Sequence, residues 1–190
     1  ASKILGYGTS KPMQLAQQRY EGVDIAGEGT IGLIRYIRTD SVGISDEAFE
    51  DAKAYMYDND GEESGVKEKQ EYKQRGRSQD AHEAIRPTYV RLSPEQVKAS
   101  LSRDQFRLYK LVWERFLACQ MSPAVFETLS IKIKAGEHNF RCSGQIIKFS
   151  GFMSVYKANE EEEDENIKLP KMEAGQKLNV VSIDGRQHFT

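Results

Sequence analysis

The chain changes its hydrophobic repeat part-way along, and that change limits what it can fold into. Before residue 120 apolar residues recur at helical spacing: Met13, Ala16 and Tyr20; then Ala48, Ala52, Tyr55 and Met56; then Leu108, Leu111, Val112, Phe116 and Cys119. Positions three and four apart share one face of a helix, so these stretches read as amphipathic helices. Beyond residue 120, Leu129, Ile131 and Ile133 alternate with Ser130, Lys132 and Lys134, the two-residue repeat of a half-buried strand. Phe140 to Phe149 continues in β-forming residues, with Gly144 as a bulge or close-approach point, and Lys177 to Ile183 offers one more strand. The expected fold is therefore α+β, with a mainly helical part over residues 1–120 and a β-rich part over 121–190. The β part alone sits at the edge of independent stability, so its strands are expected to complete a sheet begun elsewhere. A start at Ala1 in mid-pattern, with no initiator Met, predicts a piece of a longer protein.

Local chemistry marks the helix starts. Ser10 reads as an N-cap with Pro12 in the first turn, and Ser45 as a second, followed by Asp46 and Glu47 where negative charge suits the helix dipole. Ser93-Pro94-Glu95-Gln96 has capping-box spacing with Pro at the first helical position, and Asp104 is expected to cap the last helix. Trp113 falls off that helix's stripe, which predicts a second packing surface or partial exposure. Gly22, Gly27, Gly29 and Gly32 predict a loop, and residues 58–80, without periodicity or core-forming residues, an exposed one.

Composition excludes several classes. No window approaches the ~18 apolar residues that a membrane-spanning helix requires, and no apolar segment follows the N-terminus. Cys119 and Cys142 are too few for a multi-bridge scaffold and have no neighbours at zinc spacing, so a reduced, cytosolic protein is expected. A formal charge of −2 argues against a binder held to nucleic acid by bulk positive charge. The positive charge is local instead: residues 67–91 hold seven Lys and Arg against four Asp and Glu.

Two clusters could carry chemistry. Residues 32–41, GLIRYIRTDS, pack Tyr36, Arg35, Arg38, Thr39, Asp40 and Ser41 beside the glycine-rich stretch. In an extended chain Tyr36 and Arg38 point the same way. A phenol beside a guanidinium suits attack on phosphate, because Arg grips phosphate oxygens bidentately and Tyr is a weak nucleophile that requires help. The same residues would also suit a buried Tyr with Arg–Asp pairing around a turn. The second cluster, AHEAIRPT over residues 81–88, follows the basic stretch that holds Arg75 and Arg77. His82 could donate to a phosphate or act as an acid or base near neutral pH, and Arg86 would share a helical face with it. The plainer alternative is a surface His on a short helix that Pro87 terminates. His138 and His188 have no partners at metal spacing, and there is no phosphate-binding loop or dinucleotide glycine fingerprint.

Together GLIRYIRTDS and SQDAHEAIRPT resemble the two signatures of type IA DNA topoisomerases, the bacterial topoisomerase I group. LGYGTSKPMQLAQQRYEG, LYKLVWERFLACQMSPAVFETLSI and FSGFMSVY resemble the same family's central region in the same order, so the resemblance spans essentially the whole chain. It implies that Tyr36 attacks a phosphodiester of single-stranded DNA, leaving a 5′-phosphotyrosine and a free 3′-hydroxyl, and that the reverse transfer reseals the strand without an energy cofactor. Arg38 then matches the arginine that orients the scissile phosphate, and His82 a histidine near it. Asp40 matches a hydrogen-bond organiser, and Arg86, Arg75 and Arg77 are expected to meet DNA. Arg35 stands where many relatives carry Thr and inherits no role. The family binds Mg²⁺ through carboxylates of a domain N-terminal to this region, so no metal is expected on these 190 residues, and they are expected not to relax plasmid alone. The expected partner is single-stranded DNA, without membrane association, and the chain is expected to be monomeric. The helical part would carry the tyrosine and the β part belong to a hinge that arches over the DNA. Alternatives are a topoisomerase III or reverse-gyrase relative, a non-catalytic DNA-binding or protein-interaction module, and an enzyme of another class using Tyr36 or His82 as acid or base.

Overall fold

The computed structural model describes residues 1–35, 41–61, 65–66, 68–69, 83–156, 172–182, 184–185 and 187. The chain opens with one helical turn, α1 (Ser2–Leu5), and continues into α2 (Ser10–Glu21). Ser10 is the first helical residue rather than the cap, and Thr9, at the N-cap position, makes no side-chain capping bond. Tertiary contacts fasten this end instead. Asp104 accepts a hydrogen bond from the Tyr7 hydroxyl at 2.7 Å and an ion pair from Lys11 at 2.6 Å.

The glycine-rich stretch expected as a loop is a small antiparallel hairpin, β1 (Val23–Ile25) with β2 (Gly29–Ile31), in the register Val23↔Ile31. Its glycines serve the turn, where Gly27 and Gly29 take φ of 84° and 78°, so the apolar Val23, Ile25 and Ile31 remain free to face the core. The next strand, β3 (Ile34–Arg35), pairs antiparallel with β4 (Arg86–Pro87), far along the chain.

Between them runs α3 (Asp46–Asp60), capped as expected by Ser45, whose hydroxyl accepts from the Ala48 N–H. The helix continues through residues 58–60, which the sequence reading assigned to the exposed loop. The Asn59 amide there donates to the Tyr55 carbonyl at 2.8 Å. The expected capping box starts α4 (Pro94–Val97). A second one, Ser102 with Gln105, starts α5 (Arg103–Cys119) in place of the expected Asp104 cap, because the Asp104 carboxylate is already committed to Tyr7 and Lys11.

The core lies where α3, α5, β3 and the segment 90–97 meet. Leu33, Ile34, Met56, Val97, Tyr109 and Leu117 are each at most 1% exposed. Of the two outcomes open to Trp113 it takes the second packing surface: its indole N–H donates to the Val90 carbonyl at 2.9 Å, and its ring meets Tyr55 edge-on at 5.5 Å. The Tyr109 hydroxyl likewise donates to the Leu92 carbonyl at 2.6 Å, and burial raises its pKa. The apolar face of α5 is therefore wider than the predicted stripe.

The alternating segment forms a long ribbon, β5 (Val125–Ala135) with β6 (His138–Phe149), antiparallel and turning at Gly136. Gly144 pairs regularly with Leu129, and the register irregularity falls at Val125/Phe126 instead. After β6 the chain returns to α5. The Phe152 N–H donates to the Ser122 carbonyl at 3.0 Å, and the Arg115 guanidinium sits 5.1 Å from the Tyr156 ring centre. Gly151 turns this corner at φ 48°, where a Cβ would fall 2.3 Å from the Ser122 oxygen. The described part of the expected final strand, residues 177–182, is not paired into a sheet, and Val180 and Val181 stand exposed. β-forming composition makes a strand only beside an edge that can take its hydrogen bonds. Among the described residues every strand pairing is antiparallel, and no helix is long and apolar enough to cross a membrane.

Candidate active site

Tyr36, Arg38, Asp40, Arg75, Arg77 and His82 lie outside the described residues, and Arg86 lies within them. What the structure describes is the frame on which both signatures are mounted. β3 carries the chain up to Arg35, and β4 pairs Arg35 with Arg86 and Ile34 with Pro87. The Thr88 N–H extends the pairing to the Leu33 carbonyl at 3.0 Å. On the far side of the 36–40 stretch, the Gly43 carbonyl accepts from the Ala84 N–H at 2.7 Å. Both flanks of the tyrosine signature are thus hydrogen-bonded to the histidine signature, although some fifty positions separate them in the chain.

One side chain fastens this arrangement, and its role is not evident from the sequence. Glu83 accepts the Ser45 N–H at 3.1 Å through one carboxylate oxygen and pairs with Arg86 Nε at 2.8 Å through the other. It therefore joins the start of α3 to β4. Its charge also faces a helix N-terminus, where an anion is favoured. Burial would raise the Glu83 pKa, but hydrogen bonding to Ser45 and the Arg86 guanidinium outweigh it and hold the carboxyl below its usual range. Nearby, Lys69 donates to the Ile44 carbonyl and pairs with Asp46, tying the same corner from the basic segment. The signal for Glu83 was present as the i, i+3 spacing of Glu83 and Arg86, which suggests an ion pair but not what it holds.

Arg86, expected to meet DNA, is itself buried. Its guanidinium is turned to Glu83 and donates to the Pro87 carbonyl at 3.2 Å. The expected helix over this stretch does not form either: residues 83–85 are not helical, and Arg86 lies in β4. The backbone of 83–88 is committed to Gly43 and Leu33, and Pro87 cannot donate a helical hydrogen bond. Ser41 is buried beside this frame, with its hydroxyl unpartnered among the described residues. No group of three or more His, Cys, Asp or Glu side chains among the described residues is arranged to hold a metal ion.

A family model described as DNA topoisomerase matches residues 1–190. Among solved structures, full-length topoisomerase I from Thermotoga maritima is similar at 36% identity with a TM-score of 0.76. That match covers 93% of this chain and 27% of the other, so the chain spans about a quarter of the length of that relative. With the family matched from end to end and both signatures mounted on one strand pair, the chain belongs to the DNA topoisomerases of type IA.

Proposed function

We propose that this chain supplies the strand-cleaving tyrosine of a topoisomerase that cuts and rejoins one strand of DNA. The single observation that carries the reading is the β3–β4 pairing, which joins the segment leading into Tyr36 to the segment that follows His82. A module that only binds DNA has no need to bring a Tyr–Arg and a His–Arg cluster onto one frame.

In the proposed reaction the Tyr36 phenol oxygen attacks the phosphorus of a phosphodiester in single-stranded DNA. One ester bond forms, the bond to the 3′-oxygen breaks, and the phenolic proton is carried to that oxygen as the 3′-hydroxyl. Reversal reseals the strand, and because one phosphodiester replaces another no nucleotide cofactor is consumed. Arg38 neutralises charge on the phosphate, a role suited to its planar fork. His82 donates to the same phosphate or its neighbour, and Asp40 orients these groups. Arg75 and Arg77 attract the flanking backbone. The buried ion pair of Arg86 supports a positioning role, holding β4 through Glu83. Mg²⁺ would be held by carboxylates of a domain that precedes this region, as the resemblance implies, and would supply electrostatic stabilisation of the DNA phosphates.

Residues 1–120 are taken as the tyrosine-bearing module and 121–190 as hinge, in a monomer working in the cytoplasm. Alone, the 190 residues are expected to leave supercoiled plasmid unrelaxed. The test is covalent capture of single-stranded DNA by the full-length enzyme. Tyr36→Phe should abolish capture with little loss of non-covalent binding, whereas equal loss of both would favour a mere binder.

A further inference from the structure

We propose that the groove between the last turn of α2 and the Thr88–Tyr89 segment binds one unpaired nucleotide of the DNA strand being cut. This rests on the reading above and adds a subsite to it. The groove has a volume of about 540 Å³, within the roughly 300–1,000 Å³ typical of small-ligand pockets. Its floor includes Ile34 of β3, and its walls carry two tyrosines, Tyr20 and Tyr89, that are 53% and 43% exposed. Single exposed aromatics are ordinary on a protein surface, but two lining one concavity offer ring faces on which a base can stack. The Arg91 guanidinium lies 5.3 Å from the Tyr89 ring centre, and Arg91 is held in turn by a two-pronged pair with Glu28, both contacts at 2.8 Å. That ring is therefore braced from one side.

The polar groups select the ligand. Arg35 brings a permanent positive charge to the wall, which suits a phosphate. The Glu21 carboxylate, one oxygen of which accepts from the Gln17 amide, can accept from a base amino group, and the Thr88 hydroxyl can accept from or donate to a base edge. Ring faces for a base and a cation for its phosphate describe a nucleotide within a strand better than a free small molecule. The location fits: Arg35 immediately precedes Tyr36 in the chain, so a nucleotide held here lies close along the strand to the one attacked.

The test uses the full-length enzyme and single-stranded oligonucleotides carrying 5-iodo-2′-deoxyuridine, with crosslinked peptides mapped by mass spectrometry. Crosslinks on Tyr20 or Tyr89 are expected. Replacing both tyrosines by Leu should weaken oligonucleotide binding about ten- to a hundredfold, while Phe at both positions keeps it within about twofold. Arg35→Thr should lower the slope of log affinity against log salt by about 0.7, the loss of one phosphate contact on a single strand. Crosslinks confined to other residues, or a Leu pair that binds as tightly as the parent, would overturn the subsite. The crosslink map on the unmodified enzyme decides the matter should the Leu pair fail to fold. If Tyr36 captures DNA normally and no crosslink reaches the groove, the subsite falls and the nucleophile stands. If crosslinks reach the groove but capture does not depend on Tyr36, the nucleophile falls and the subsite stands.

Discussion

Removing the Glu83 carboxylate should loosen the frame that joins the two signatures. In Glu83→Ala the Arg86 guanidinium, whose side chain is only 6% exposed, keeps the Pro87 carbonyl but loses its counter-charge, and the Ser45 N–H loses its acceptor. Breaking a buried ion pair from one side costs about 3–5 kcal/mol. The Glu83 side chain is 18% exposed, which admits some screening, so the lower end applies, about 3 kcal/mol. For a chain of this size that lowers Tm by roughly 6–12 °C. Urea unfolding followed by fluorescence reads it directly, because Trp113 is the one tryptophan and is buried in the core. Glu83→Gln keeps an acceptor for Ser45 and should cost about half as much. Glu83→Ala with Arg86→Met removes both charges, so its cost should fall short of the sum of the single changes by at least 1 kcal/mol, on the order expected for directly coupled residues. A Glu83→Ala cost under about 0.5 kcal/mol, the scale of an ordinary surface change, or strict additivity in the double variant, would refute the reasoning.

The same pair sets a pH dependence. The folded Glu83 pKa lies below its unfolded value of 4.5, so its stabilisation is complete above that value and is lost as pH falls through the folded one. The stability gap between the parent and Glu83→Gln should be flat near neutrality and close in acid, which urea titrations at stepped pH will read. Gly151→Ala should destabilise by about 2–4 kcal/mol, because its Cβ would overlap the Ser122 and Pro123 backbone at a φ that also disfavours Ala; a thermal melt close to the parent's would count against that packing. Ser102→Ala should cost about 1 kcal/mol by removing the cap of α5, whereas a cap at Asp104 would leave it neutral in the same melt.

What was legible in the sequence was local. Ser45 and Ser93 act within four residues of themselves, and the alternation of Leu129, Ile131 and Ile133 needs only a neighbouring strand, so these readings hold in the structure. Asp104 failed as a cap because Tyr7 and Lys11, distant in the chain, compete for its carboxylate. Trp113, off the main stripe, left a second packing surface and partial exposure both open, and the Val90 carbonyl, 23 positions away, decides for the packing surface. The hairpin over residues 23–31 was hidden by strands of three residues set among glycines. At the site, both signatures were readable as residue clusters, but their joining was not. It depends on backbone hydrogen bonds between residues 33–43 and 84–88, and on a carboxylate whose partner Ser45 is 38 positions away.

One tyrosine among nine is expected to form the bond to DNA. The direct measurement is to let the full-length enzyme react with a labelled single-stranded oligonucleotide, denature it rapidly, digest both components and identify the nucleotide-bearing peptide by mass spectrometry. The expected product is a 5′-phosphate ester on Tyr36 with a free 3′-hydroxyl on the released fragment. A covalent adduct on another residue, or a 3′-phosphate linkage, would contradict it.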